Sequence, residues 1–319
     1  MTPRRRLGKK LVKSFLPIVL VLALALVVVS GWIVYGVTRP PRRAYLVTPQ
    51  AFREISGPVL KVSDETWANL DGTTSRGWLL KGAPGAPAVI LLHRYSADRS
   101  WLFNLGVKLN EATDFTILWP DLRGHGLSPP IESTSFGAKE AEDVTAAMNF
   151  LRTLKTGKGE NRLIGTSIGL YGVELGAYAA LRVAPEDDEV KVLVLDSIPA
   201  SPDQLLRAVV KERFELDNNL LDFFVRTAER VYQGSAYQSR PSCELASQIK
   251  TQKVLLLSGE DAGYLKQSTM DLARCFPNQA NVETKSDLPL TGFRLASATG
   301  EQGEGYDRRV IDYFDKNLR

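Results

Sequence analysis

Histidine is scarce in this chain of 319 amino acids: there are two, His93 and His125, and none in the remaining 194 positions after His125. That excludes imidazole catalysis from the C-terminal half, where no other side chain has an ordinary pKa near 7. Cysteine is equally rare, with Cys243 and Cys275 alone. No Cys/His cluster with zinc-ligand spacing exists, and a multi-disulfide scaffold is excluded. The glycines form no Walker or dinucleotide phosphate loop, so the sequence implies neither a metal nor another cofactor. No repeat is visible, and no basic patch interleaved with aromatics points to nucleic acid.

Acidic residues are missing from residues 1 to 43, which carry nine basic ones. The remainder holds 31 Lys and Arg against 36 Asp and Glu, so the net charge of +4 comes from the N-terminus. Residues 15–37, FLPIVLVLALALVVVSGWIVYGV, are uncharged over 23 positions. At about 1.5 Å per residue they reach across a hydrocarbon core of about 30 Å. The run is longer than the apolar stretch of a cleaved signal peptide, about 7 to 15 residues. Arg4, Arg5, Arg6, Lys9, Lys10 and Lys13 precede it, and Arg39, Arg42 and Arg43 follow. This bias predicts a cytoplasmic N-terminus and a globular part outside the cytoplasm, in a periplasm or at a cell surface. Trp32 and Tyr35 suit the outer interfacial belt, and Pro40-Pro41 suits a short stiff exit. The expected organisation is a basic tail (1–14), a transmembrane helix (15–37), a linker (38–58) and one globular domain (59–319).

Within that domain, IGLYGVELGAYAALR (168–182) reads as a buried strand, a tight turn flanked by Gly172 and Gly176, and a small-residue helix. This pattern resembles the nucleophile elbow of α/β-hydrolases, in which a strained central residue tolerates only small neighbours two positions away on either side. AVILLHRY (88–95) resembles the strand leading into the oxyanion loop. ILWPDLRGHGLS (117–128) resembles the next strand with its Asp-x-Arg-Gly-His-Gly-x-Ser turn, while VLVLDS (192–197) and VLLLSGE (254–260) resemble the two strands after the elbow. In this order the segments are similar to the bacterial branch containing serine aminopeptidases, monoacylglycerol lipases and acyltransferase-like esterases. The resemblance covers roughly residues 60 to 319 and implies an α/β fold: a mostly parallel sheet flanked by helices, with a helical lid at residues 199–250.

The resemblance also implies a Ser, acid and His triad, and here the chain departs from it. Glu174 occupies the nucleophile position. Asp261 or Glu260 occupies the acid position one residue early, and residues 283–319 contain no histidine to serve as base. The oxyanion loop falls on Arg94 and Tyr95, with Leu175 after the elbow. His93 and His125 match positions that are structural in the family. A second Gly-x-Ser-x-Gly match, Gly165 to Gly169, offers Ser167 as an alternative nucleophile, although the helix after it would have to contain Gly169, Gly172 and Gly176 at about 1 kcal/mol each. A carboxylate nucleophile at Glu174 would still need a base to hydrolyse its ester.

The expectation is therefore a membrane-anchored pseudo-hydrolase with a binding or scaffold role, its ligand a small molecule or a protein. The alternative is an active hydrolase of small esters or peptides using Ser167 or a non-standard acid–base pair. The pairing of Arg94 with Glu174, both unusual at their positions, suggests that Glu174 fills the oxyanion hole as an internal anion closed by Arg94. Removing Glu174 from such a buried pair would cost roughly 3 to 5 kcal/mol. Whether Cys243 and Cys275 bridge depends on a Cα separation below about 7 Å, which sequence does not give.

Overall fold

The computed structural model describes residues 3–56, 61–157, 159, 161–294 and 301–319. The expected boundary at 58/59 lies outside them. A long helix α1 (Pro3–Val37) precedes a short α2 (Pro49–Ser56) and an eight-stranded sheet of order β1-β2-β4-β3-β5-β6-β7-β8. The strands are β1 (Val62–Ala68), β2 (Thr74–Leu80), β3 (Ala88–Leu92), β4 (Thr116–Pro120), β5 (Ile168–Val173), β6 (Val190–Asp196), β7 (Lys253–Gly259) and β8 (Val282–Leu288). The β1–β2 and β2–β4 pairs are antiparallel and all others parallel.

The central strands are mostly apolar and buried on both sides, as strands covered by helices on both faces are. Alternation along β3 sends Ile90 and Leu92 into one core, with α4 (Ala138–Thr153), α5 (Leu175–Val183) and α8 (Ser242–Ala246). Val89 and Leu91 enter the other, with α3 (Phe103–Thr113) and α10 (Glu301–Leu318). Between β6 and β7 the chain makes α6 (Pro202–Phe214), α7 (Asn219–Gln233) and α8, within the stretch expected as a lid; α9 (Tyr264–Leu272) follows β7. The bridge Cys243–Cys275, with Cα atoms 5.2 Å apart, ties α8 to the turn after α9.

The N-terminal segments are built into the domain more closely than a spacer would be. Ser14–Thr38 is long and apolar enough to cross a membrane. Its C-terminal end nevertheless packs on protein: Ser30, Ile33, Val34, Val37 and Thr38 are buried. The expected linker is not loose either, because its own aromatic residues find partners. Tyr45 packs edge-on against Trp78 at 5.3 Å and Phe52 against Phe103 at 5.3 Å, while the Tyr45 hydroxyl donates to Asp121 at 2.7 Å.

Candidate active site

The turn from β5 into α5 places Glu174 at φ 51°, ψ −103°. A side chain held at positive φ stores strain of order 1–3 kcal/mol, which the surrounding packing must overcome. Gly172 and Gly176 permit the turn by lacking Cβ atoms. A Cβ on Gly172 would strike the backbone of Gly176 and Ala177, and one on Gly176 would strike the carbonyl of Leu92. Ser167 stands just before β5 begins, at the opposite end of the strand, about 20 Å from the elbow at about 3.3 Å per residue.

The Glu174 side chain is buried, and its Oε2 accepts the backbone N–H of Tyr95 at 3.0 Å. Tyr95 belongs to the loop after β3, so the carboxylate lies where that loop would offer a donor to an oxyanion. Burial pushes the Glu174 pKa up to about 7, against the opposing pull of the Arg94 charge and the Tyr95 N–H. Above it the Tyr95 hydroxyl donates to the carbonyl of Val37 at 2.7 Å, so the end of α1 lies against the loop.

The expected Arg94–Glu174 ion pair does not form: among the described residues no salt bridge joins them. The Arg94 guanidinium lies instead 5.0 Å from the Trp101 ring and 4.9 Å from the Phe293 ring. Its Nη1 donates to the Tyr95 carbonyl at 3.3 Å. Two aromatic faces and a carbonyl hold the cation away from the carboxylate, so Arg94 acts on Glu174 through space only.

Of the two carboxylates expected at the acid position, Asp261 is held by hydrogen bonds. Asp261 accepts the Thr291 backbone N–H at 2.8 Å and the Thr291 hydroxyl at 2.9 Å. Glu260 is exposed and paired with Lys266. Thr291 follows β8, in the region where the resemblance places the base, so a threonine occupies the acid's hydrogen bonds. Sequence reading singled out neither this residue nor the cluster beneath it. There Asp196, at the end of β6, accepts the Gly292 N–H at 2.7 Å and the hydroxyls of Ser197 at 2.6 Å and of Tyr306. The Tyr306 hydroxyl also meets that of Tyr171 at 2.7 Å. Burial pushes the Asp196 pKa up to about 7, opposed by these hydrogen bonds. The available signal was an aspartate closing an otherwise apolar strand, VLVLD.

Both histidines are structural elements of the loops. His93 Nε2 accepts the Leu122 N–H at 3.0 Å, which leaves Nδ1 to donate to the Arg94 carbonyl at 2.8 Å. His125 Nδ1 lies 2.9 Å from the Arg123 carbonyl. Burial depresses their pKa values to about 4 and about 3. They remain neutral in the ordinary pH range.

A family model described as alpha/beta hydrolase fold matches residues 87–280. The chain belongs to this family. Solved α/β-hydrolases resemble it across most of its length. A Pyrococcus furiosus esterase is 22% identical at a TM-score of 0.64, with 89% of this chain and 99% of that one covered. Carboxyl esterase 2 of the fungus Tuber melanosporum is 14% identical at 0.60, with 88% and 92% covered. Acylaminoacyl peptidase of Pyrococcus horikoshii is 13% identical at 0.57, with 86% of this chain and 44% of that one covered. At such identities the likeness is one of fold. No curated protein matches this α/β-hydrolase by sequence.

Proposed function

We propose that this α/β-hydrolase-fold protein is a membrane-anchored pseudo-hydrolase whose former catalytic site serves structure and whose role is binding or scaffolding. One observation carries the reading: Glu174 stands on the strained elbow and accepts the Tyr95 N–H in place of an oxyanion. The Asp261–Thr291 contact supports it, because an acid bound to threonine orients no base. The expected result with a fluorophosphonate probe is no labelled serine, Ser167 included, under conditions that label a control esterase. Labelling at Ser167, or ester hydrolysis that survives purification, would defeat the proposal.

A second reading draws on Glu174 itself. A carboxyl with a pKa of about 7 has the proton affinity of a general acid or base at neutral pH. Under this reading the protein hydrolyses small esters or peptides without a serine. Turnover that falls by orders of magnitude in Glu174→Gln would favour it.

The membrane assignment treats α1 as a signal anchor with its N-terminus in the cytoplasm, in the inner membrane of a bacterium. The basic residues before the span support that orientation. So does the Cys243–Cys275 bridge, which suits an oxidising compartment. The protein should resist carbonate extraction, and protease added to cytoplasmic-side-out vesicles should spare residues 45–319. Complete digestion of that region would reverse the topology.

A further inference from the structure

The outer end of α1 cannot serve both as a free lipid-facing helix and as part of the domain, and the length of the span shows where the two roles meet. Crossing the hydrocarbon takes about 20 residues. Lys13 is the last charged residue before the apolar run, and 20 residues counted from Ser14 end at Ile33. Yet Ser30 and Ile33 are already buried against the domain, and α1 packs along α7. No spacer separates bilayer from protein, so the surface beside this stretch of α1 must lie at the bilayer boundary.

That surface is the hairpin joining α6 to α7. Phe214, the last residue of α6, lies 5.1 Å from the Trp32 ring, and Arg213 donates to the Gly36 carbonyl and to the Arg39 carbonyl at 3.2 Å. At the far end of α7, Tyr232 accepts a hydrogen bond from Arg39 at 2.9 Å. The start of α7 therefore points back along α1, toward the membrane. One face of α7 packs inward through Leu221, Val225 and Ala228. Near its start the opposite side leaves Leu220 63% and Phe223 57% exposed, with Leu216 of the preceding turn at 39%. Trp32 and Tyr35 of α1 are also exposed, at 63% and 56%.

Two polar groups of the tip, Asp217 and Asn218, are satisfied within the protein. Asp217 pairs with Arg207 at 2.8 Å and Lys211 at 2.7 Å. The Asn218 side chain accepts the backbone N–H groups of Leu220 and Leu221 at 2.9 and 3.3 Å, capping α7. A capped helix start with neutralised charges can approach an interface at low desolvation cost.

We propose that the α6–α7 hairpin seats the domain on the outer leaflet beside the exit of α1, with Leu216, Leu220 and Phe223 among the upper acyl chains. This rests on α1 being a membrane span. The basic side chains Arg207, Lys211 and Arg213 are balanced by Glu212, Glu215 and Asp217, so the seat depends on apolar contact and persists on a zwitterionic membrane.

The test uses the full-length protein in phosphatidylcholine vesicles, with its native cysteines bridged and one added cysteine carrying an environment-sensitive fluorophore. The sites are Leu220→Cys, Leu22→Cys in the middle of the span and Thr153→Cys on the exposed end of α4. Lipids bearing a nitroxide high on the acyl chain should quench the Leu220 label several-fold more than the Thr153 label, and aqueous iodide should show the reverse order. Leu220 behaving like Thr153 while Leu22 reports a buried span would overturn the seat and leave the anchor standing. Protection from both quenchers would mean that protein covers the hairpin, which also overturns it. A water-exposed Leu22 would remove the span and the seat together.

Discussion

Changing Glu174 to serine and Thr291 to histidine together is expected to produce esterase activity about 10²- to 10⁴-fold above that of Glu174→Ser alone, the range a positioned general base supplies. The single change frees the Tyr95 N–H and puts a hydroxyl on the elbow. Without a base it should retain only the weak rate that binding and oxyanion donors provide. The second change exploits an acid already in place, since Asp261 lies 2.8 Å from the Thr291 nitrogen and 2.9 Å from its hydroxyl. A histidine there would find Asp261 ready to orient its ring. Hydrolysis of a short acyl nitrophenyl ester, with covalent capture of residue 174 by a fluorophosphonate, measures the gain. Adding Asp261→Asn should abolish it. A double variant no faster than the single one would contradict the proposal that the site lacks only a base.

The fold was legible because its signals are local. Five strands are apolar on both faces, and such runs read directly as buried parallel strands. The elbow was legible in part for the same reason: a Cβ on Gly172 would strike Gly176 and Ala177 within five residues of chain, whereas the clash that demands Gly176 is with Leu92 on β3. What escaped detection depends on distant partners. Thr291 is an ordinary loop residue until β8 and β7 pair and bring it to Asp261, 30 positions away. Arg94 looked like a partner for Glu174 because charge complementarity is visible in a sequence. The rings of Trp101 and Phe293 that claim it come from separate loops. In α1 the uniform apolar character that marks a membrane span hides which face meets protein.

The position of Arg94 reverses the stability effect expected of Glu174. A buried ion pair would make Glu174→Gln destabilising near neutral pH, since the arginine would lose its counter-charge. With no such pair, the variant should be the more stable protein at pH 8, by up to about 3 kcal/mol, and equal to the wild type near pH 4. The sign follows from linkage. The carboxyl has a pKa of about 7 when folded and 4.5 in its ordinary state, so between those values the native protein holds the proton that the unfolded chain has released. Stability from this group is complete below pH 4.5 and declines as pH rises through 7. A difference of about 2.5 units at 1.36 kcal/mol each sets the size of the effect. Glutamine mimics the protonated acid and keeps an acceptor for the Tyr95 N–H. Other buried groups titrate in the same range: burial pushes Asp196 and Glu229 up to about 7, while His93 and His125 shift the opposite way. The informative quantity is therefore the difference between the two proteins at each pH, measured by denaturant unfolding in detergent micelles. Because the sites common to both cancel in that difference, a gap that widens from pH 5 to pH 8 belongs to Glu174. A variant less stable than wild type at pH 8 would restore the ion pair and contradict the placement of Arg94 between the two rings.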